Sequence, residues 1–221
     1  MHRGAEGEIR VIKKWAALLS LACLPAALGI LPGGSQASPQ KSTTKPVYEV
    51  YAIAYGVLPQ FPVTALVDGA DLFPKAQAWI QKEEFNHYAD PAFTRTAIDP
   101  DDLAVLQDLL GKNRLTLVDG DAKEIIPGII AYTGGKHTYA SQYVGVSTRA
   151  GTVVVASDNL YLYENLEKGV AIAQTLDAPS NLQAQQRMKQ LASSPRLIVP
   201  GHDPEVFVRF PKPGNGVARI D

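Results

Sequence analysis

Short runs of β-branched and aromatic residues recur along the chain between turn-forming glycines, prolines and aspartates, a pattern that predicts β-strands. The predicted strands and short apolar runs are Val47–Val57, Val63–Val67, Ala76–Ile80, Leu115–Val118, Lys123–Ile126, Ile129–Thr133, Tyr143–Thr148, Thr152–Ala156 and Arg196–Val199. Thr152–Ala156 is apolar without alternation, which is typical of a strand buried on both faces. The stretch Asp119-Gly120-Asp121 predicts a hairpin turn that leads from Leu115–Val118 into Lys123–Ile126.

Helical periodicity appears between the groups of strands. The predicted helices are Lys82–Tyr88, a segment that begins at Pro100, Asn181–Ser193 and a segment near Leu72 that Asp71 could cap. The clearest begins after the cap Asp99, with Pro100 as its first residue. Its apolar face consists of Leu103, Leu106, Leu109 and Leu110. Strands in meandering groups with helices between them favour an α/β or α+β domain in which helices cover sheets.

The N-terminal residues have the layout of a secretory signal peptide. A basic segment from Arg3 to Lys14 precedes the mostly apolar stretch Trp15–Leu31, and Ser35-Gln36-Ala37 offers small residues for cleavage. A membrane anchor is the alternative, but Pro25 and Gly29 interrupt a run that is already short for a span. We therefore expect cleavage and a periplasmic or secreted protein.

This interpretation divides the chain into a signal peptide at 1–37, a Ser/Thr/Lys/Pro-rich lead-in at 38–46 and a folded domain at 47–221. The only cysteine, Cys23, falls in the signal, so the folded domain has no disulfide and no thiol nucleophile. Of the chain's 21 Lys/Arg and 22 Asp/Glu, four and two lie in the signal, which leaves 17 and 20. A mildly acidic domain without a basic block argues against a nucleic-acid partner, and no membrane association is expected after cleavage.

Three titratable residues follow predicted strands. His137 stands in a glycine-containing loop after Ile129–Thr133, Asp158 comes just beyond a buried strand, and His202 follows Val199-Pro200-Gly201. Histidine and aspartate held at strand ends suit metal binding or general acid–base work. Each has a plainer interpretation, since a lone histidine is often a surface residue and an aspartate after a strand is often a turn or cap residue. Three such positions together favour a shared site.

These residues carry a resemblance. Thr133-Gly134-Gly135-Lys136-His137, Ala156-Ser157-Asp158 and Val199-Pro200-Gly201-His202-Asp203 resemble the later metal-ligand motifs of the metallo-β-lactamase superfamily, in particular its N-acyl homoserine lactonase-like branch. The likeness extends from Leu72 to the C-terminus. It implies an α/β (α+β) fold of the metallo-β-lactamase type, an αββα sandwich. It also implies a hydrolase that opens a lactone or ester with a hydroxide held by two zinc ions.

The resemblance assigns a role to four residues. His137 would be a ligand of one zinc, His202 a ligand of the other, and Asp158 the carboxylate that bridges both. Tyr161 matches the tyrosine that supports the carbonyl oxygen of the substrate. Taken together, the motifs imply zinc as cofactor and a small lactone or ester as substrate.

The chain departs from the family at one point. The signature His-x-His-x-Asp-His should precede the segment from Asp68 to Ala76, yet the sequence has only the histidines His2, His87, His137 and His202. His87 has no companion at metal spacing and is expected to be a surface or packing residue. The sequence therefore predicts a domain that is internally truncated near 67–71, incomplete in its N-terminal half and short of about half its metal ligands.

Two hypotheses remain open. The chain is either a zinc-dependent hydrolase that takes ligands from elsewhere, such as a second subunit in a homo-oligomer, or a degenerate, non-catalytic family member that serves at most in binding or assembly. A serine hydrolase is not favoured, because Ser147 lies in Gly145-Val146-Ser147-Thr148-Arg149, which lacks the second glycine of a nucleophile elbow.

Overall fold

The computed structural model of the protein describes residues 46–53, 74–92 and 100–221. The strands are β1 (Tyr51–Ile53), β2 (Ala78–Gln81), β3 (Leu115–Val118), β4 (Lys123–Ile126), β5 (Ile129–Thr133), β6 (Gln142–Thr148), β7 (Gly151–Ser157), β8 (Ile198–Pro200) and β9 (Val217–Arg219). The helices are α1 (Lys82–Ala89), α2 (Pro100–Gly111), α3 (Tyr163–Lys168), α4 (Ala178–Leu191) and α5 (Val206–Arg209), with a 3-10 turn at Pro195–Leu197. The predicted α/β (α+β) class is confirmed.

A five-stranded sheet in the order β4-β5-β6-β7-β8 is the centre of the fold. Its strands pair antiparallel except β7 and β8, which run parallel. As predicted, β7 is buried on both faces: Val153 and Val155 face one apolar cluster, while Val154 and Ala156 face another. Helix α4 packs on the second cluster through Ala184 and Met188.

A two-stranded sheet covers the face of the five-stranded sheet that lies opposite α4. Strands β1 and β9 pair antiparallel, and Val50, Ala52 and Ala218 join the cluster that contains Val153. The layers are therefore helix α4, the five-stranded sheet and the β1–β9 pair, which is the helix–sheet–sheet order expected in a sandwich.

A separate unit consists of β2, α1, α2 and β3. Strands β2 and β3 pair parallel, and Phe85, Leu106, Leu109 and Leu115 form its apolar cluster. The predicted hairpin between β3 and β4 is wrong, since β3 pairs with β2 whereas β4 pairs with β5 in another sheet. The Asp119–Asp121 turn therefore links two sheets. Parallel pairing across the α1–α2 connection depends on contacts distant in sequence, which a local turn motif does not report.

Element boundaries follow the predictions with small changes. Helix α4 begins before Asn181 because the side chain of Asp177 accepts a hydrogen bond from the Ser180 amide and caps the helix. The predicted strand Arg196–Val199 is in part the 3-10 turn, and β8 starts only at Ile198. Helices α3 and α5 and strand β9 were not predicted.

Several predictions lie outside the described residues: the signal peptide at 1–37, the run Val63–Val67, the helix near Leu72 and the truncation near 67–71. The predicted strand Val47–Val57 is described only through residue 53, where it contains β1. Within the described part of the chain, no helix is long and apolar enough to cross a membrane.

Candidate functional site

The three predicted site residues lie at one edge of the five-stranded sheet. Asp158 directly follows β7, and His202 follows β8, which is the parallel neighbour of β7. His137 lies in the loop after β5, and β5 runs in the same direction as β7 because β6 is antiparallel to both. The carboxyl ends of all three strands therefore meet at this edge, and the structure brings the three predicted residues together.

Asp158 stands between the two histidines. Its Oδ2 lies 3.3 Å from Nε2 of His137, and its Oδ1 lies 3.0 Å from Nε2 of His202. The His137 side chain is 19% exposed, against 41% for His202. The carboxylate thus joins one imidazole near the interior and one at the rim.

The contact made by the second ring nitrogen of His137 indicates which nitrogen carries the hydrogen. Nδ1 lies 2.8 Å from the carbonyl oxygen of Gln174, which can only accept, so Nδ1 carries the hydrogen. In the neutral ring, Nε2 would then be a bare acceptor that faces a carboxylate oxygen. Such a contact requires a cation between the two atoms, either the proton of an imidazolium or a metal ion.

His137, Asp158 and His202 form a row with the carboxylate in the middle. The pKa values of the three groups are shifted in the directions expected when a carboxylate lies between two imidazolium ions. Burial opposes ionisation of Asp158, but hydrogen bonds with His137 and His202 outweigh it and hold the carboxyl pKa below its usual range. Burial lowers the pKa of His137, yet its contacts with Asp158 and Gln174 raise it overall. The hydrogen bond with Asp158 raises the pKa of His202 against the effect of burial. The row therefore favours an anionic carboxylate between readily protonated imidazoles.

Tyr161 lies beside this row. Its ring meets His137 and His202 edge-on, with ring centroids 5.8 Å and 4.9 Å apart. Its hydroxyl lies 3.4 Å from both Nδ1 of His137 and the side-chain oxygen of Gln174. Burial and the charge of Asp158 raise the pKa of Tyr161, so the phenol keeps its proton and can donate a hydrogen bond.

A cavity of about 1050 Å³ opens over the row. Its lining comprises Ile80, Gln81, Glu84, His137, Thr138, Ala140, Ser141, Gln142, Ser157, Asp158, Asn159, Tyr161, Ala173, Gln174, Thr175, Leu176 and His202. Amide, hydroxyl and small apolar side chains predominate, and none of these lining residues is a lysine or arginine. The volume is at the upper end of small-molecule sites, which usually measure about 300–1,000 Å³.

Two of the site residues follow strained backbone. Lys136, before His137, has φ of 59°, and Ser157, before Asp158, has φ of 50°. Left-handed conformations of this kind cost a non-glycine residue about 1 kcal/mol or more and cluster at functional sites. The left-handed backbone at Lys136 and Ser157 turns the chain sharply just before His137 and Asp158, whose side chains line the cavity.

Sequence reasoning missed several residues that support the site. Asp203 is buried and accepts hydrogen bonds from the amides of Tyr163 and Glu205, which fixes the loop that carries His202 against α3. Gln174 acts through its backbone, so no sequence signal could have shown it. Asn159 follows Asp158 directly, and its polar side chain next to a buried strand was a signal that could have been used.

His87, predicted to be a surface or packing residue, packs against another aromatic ring. Its ring stacks on Tyr139 with centroids 3.8 Å apart and an angle of 2° between the planes. His87 is not among the residues that line the cavity.

The donor types around Asp158 suit zinc, because imidazole and carboxylate are zinc ligands and a metal-binding imidazole donates its other N–H to a carbonyl, as His137 does. Their arrangement does not complete a site. Across 46–53, 74–92 and 100–221, no group of three or more His, Cys, Asp or Glu side chains is placed to hold a metal ion. The two imidazoles approach different oxygens of Asp158. The roles of His137, Asp158 and His202 as metal ligands therefore stay a prediction, as does the role of Tyr161.

Solved structures with a similar fold include metal-dependent hydrolases. An AiiA mutant from B. thuringiensis with N-decanoyl-L-homoserine bound at its active site matches with 22% identity and a TM-score of 0.48, covering 62% of this chain and 51% of that one. An N-acyl homoserine lactone hydrolase with N-hexanoyl-L-homoserine bound at its catalytic metal centre matches with 21% identity and a TM-score of 0.48, and again 62% of this chain and 51% of that one are covered. The hydrolase AbOPH of the β-lactamase superfamily matches with 16% identity and a TM-score of 0.46, covering 60% of this chain and 49% of that one.

The chain thus spans about half the length of the solved structures it matches. No family model matches the chain, and no curated protein matches it.

Proposed function

We propose that the protein belongs to the lactonase-like branch of the metallo-β-lactamase superfamily and that its cavity binds a small neutral lactone or ester. The observation that carries this proposal is the convergence of His137 and His202 on opposite oxygens of Asp158 beneath the cavity. Three strand ends fix this row, so it is held in place before a ligand arrives.

The lining of the cavity supports a ligand with a polar carbonyl and an apolar tail. Tyr161 keeps its proton and can donate a hydrogen bond to a carbonyl oxygen. Ile80, Ala173 and Leu176 provide apolar contacts, and the volume of about 1050 Å³ accommodates a lactone ring with an acyl chain. Among the described residues that line the cavity, Glu84 and Asp158 are acidic and none is a lysine or arginine, which suits a neutral ligand better than an anion.

Zinc, when bound, would polarise the ligand carbonyl and supply a hydroxide at neutral pH. His137, Asp158 and His202 are the side chains that would contribute donors. The described residues do not complete such a site, so the remaining ligands would have to come from outside them, and a second subunit is one source. We extend the proposal to hydrolysis only on that condition.

The test has two measurements. Elemental analysis after extensive dialysis gives the zinc content per chain, and isothermal titration calorimetry with N-hexanoyl homoserine lactone gives binding. Binding that weakens in His202→Gln supports the proposal. A wild-type protein that takes up no lactone, with or without added zinc, would overturn it.

The alternative is a non-catalytic family member that binds without hydrolysing. The chain's total of four histidines favours it, because one lies in the predicted signal and His87 stacks on Tyr139. The two hypotheses differ in turnover. Ring opening releases acid, so a pH indicator with zinc present separates a hydrolase, which acidifies the solution, from a binding module, which does not.

We also propose that the chain is exported by the signal at residues 1–37 and acts in the periplasm or outside the cell. The basic segment followed by the apolar stretch Trp15–Leu31 supports this. N-terminal sequencing of the protein from the extracytoplasmic fraction should begin near Ser38. Recovery of uncleaved protein in the cytoplasm would contradict it.

A further inference from the structure

Asn159 is the residue that follows Asp158, and its side chain is 1% exposed. Its Oδ1 accepts hydrogen bonds from the amide of Gly135, at 2.9 Å, and from the hydroxyl of Ser141, at 2.7 Å. Its Nδ2 donates to the carbonyl oxygens of Gln142, at 2.9 Å, and Ala156, at 3.1 Å. Two donated and two accepted bonds use the full hydrogen-bonding capacity of a side-chain amide.

These four bonds connect three parts of the site. Gly135 and Ser141 flank the loop that carries His137, Gln142 begins β6, and Ala156 belongs to β7. The loop comes close because it contains glycine: a Cβ at Gly134 would lie 2.0 Å from Oδ1 of Asn159. Both ends of the His137 loop are thus attached to the residue next to Asp158.

The backbone of Asn159 reaches the other support of His137. Its carbonyl oxygen accepts a hydrogen bond from Nδ2 of Asn181, at 2.9 Å, and Asn181 is fully buried. The side-chain oxygen of Asn181 in turn accepts from the amide of Ile172, at 3.1 Å. This bond anchors the segment that leads to Gln174, the partner of Nδ1 of His137.

We propose that Asn159 is the positioning residue that holds His137 against Asp158, through the glycine loop on one side and Asn181 on the other. The inference rests on the proposed function only in taking His137 and Asp158 as the site. Asn159 acts on the histidine through hydrogen bonds to the backbone and to Ser141.

His202 has separate attachments. Its amide donates to the carbonyl oxygen of Tyr161, at 3.0 Å, and the amide of Gly201 donates to that of Leu160, at 2.8 Å. Neither bond involves the side chain of Asn159. Removal of that side chain should therefore displace His137 and leave His202 in place, a difference between the two rings that general destabilisation would not produce.

Imidazole ¹H–¹⁵N spectra measure this difference directly. The chain has only four histidines, so the signals of His137 and His202 can be assigned by substituting each with glutamine. In Asn159→Ala we expect the His137 signals to shift or broaden while those of His202 keep their wild-type positions. The control Thr148→Ala removes a buried hydroxyl that bonds at the opposite end of the β6–β7 hairpin and should move neither.

A folded Asn159→Ala protein with unchanged His137 signals, or with equal shifts of both histidines, would overturn the inference. If Asn159→Ala does not fold, Ser141→Ala decides, since it removes only one of the four bonds of Asn159. We expect a smaller shift confined to His137, and no shift would overturn the inference. Because these spectra need no ligand, a protein that binds no lactone would refute the proposed function and leave this test intact.

Discussion

Nε2 of His202 lies 3.0 Å from Oδ1 of Asp158, and the backbone before His202 lies against the end of β7 because residue 201 has no side chain. A Cβ at Gly201 would lie 2.6 Å from the carbonyl oxygen of Ser157 and 3.2 Å from Oδ1 of Asp158. The first distance is shorter than van der Waals contact allows, so any larger residue must push the two strand ends apart. This glycine is therefore required for the meeting of the two side chains.

We predict that Gly201→Ala separates His202 from Asp158 and lowers the free energy of unfolding by about 1–3 kcal/mol, the usual cost of overpacking. Urea denaturation gives the stability, and the imidazole signals of His202 report the displacement. Gly214→Ala is the matched control, because a Cβ there meets nothing within 4 Å. Equal behaviour of the two variants would show that the approach of the strand ends does not depend on Gly201.

A second prediction concerns the attachment of the β2–α1–α2–β3 unit to the wall of the cavity. Oε2 of Glu84 in α1 accepts a hydrogen bond from the amide of Ala140. Glu84→Ala leaves that amide without its acceptor, which costs about 1–3 kcal/mol where the group is buried and less where water reaches it. Glu84→Gln keeps an acceptor and should cost less.

Hydrogen exchange of the Ala140 amide checks this prediction. We expect faster exchange in Glu84→Ala than in Glu84→Gln, which should remain close to the wild-type rate. Exchange that is equally fast in both variants would mean that the charge of Glu84 matters and its hydrogen bond does not.

Local pattern was sufficient to predict the strands that form the site. The apolar runs of β5, β7 and β8 and the polar residues after them indicated where His137, Asp158 and His202 lie. Strand ends are reported well by sequence, because burial of a strand and the polarity of the following turn are both local properties.

Pairing between distant segments could not be predicted in this way. The turn at Asp119–Asp121 has hairpin chemistry, yet β3 lies beside β2 on account of contacts formed by α1 and α2. Asn159 and Gln174 support His137 through bonds that span 24 and 37 residues. Such partners follow from the completed fold, so the sequence indicated where His137, Asp158 and His202 lie and missed the residues that hold them.

The third prediction concerns the hydroxyl of Tyr161, which should donate a hydrogen bond to the ligand. Tyr161→Phe keeps the ring that contacts His137 and His202 and removes the hydroxyl that we propose donates to the ligand carbonyl. A neutral hydrogen bond contributes about 0.5–1.5 kcal/mol, so we expect affinity for the lactone to fall roughly 2- to 10-fold. Calorimetry measures the change, and Tyr139→Phe, outside the cavity lining, is the control. Undiminished affinity in Tyr161→Phe would show that the hydroxyl of Tyr161 makes no hydrogen bond to the ligand.

The last prediction concerns acid stability and Asp121, which is hydrogen-bonded to the end of β5 and forms an ion pair with Arg187 of α4. Oδ1 of Asp121 accepts hydrogen bonds from the amide and hydroxyl of Thr133, at 2.9 Å and 3.1 Å, and its Oδ2 lies 2.8 Å from Arg187. Burial opposes ionisation of Asp121, but these bonds prevail and lower its pKa below the ordinary value of 3.8. The pKa of Asp121 is lower in the folded state than in the unfolded state. The ionised carboxylate therefore stabilises the fold at pH values above its ordinary pKa of 3.8. This contribution is lost as the pH falls from there through the folded-state pKa.

Asp121→Asn should therefore be less stable than wild type near neutral pH, by about 0.5–1 kcal/mol, since the Asp121 side chain is 40% exposed and water screens the pair. The difference should shrink as the pH falls below 4, where the wild-type carboxyl becomes protonated. Urea denaturation of both proteins between neutral and acid pH gives the two curves. Asp108→Asn is the control, because its exposed partner Lys112 lies four residues further on, just after the end of α2, and we expect a change in stability of only about a few tenths of a kcal/mol. Parallel curves for wild type and Asp121→Asn would show that the charge of Asp121 does not stabilise the end of β5 from which the His137 loop begins.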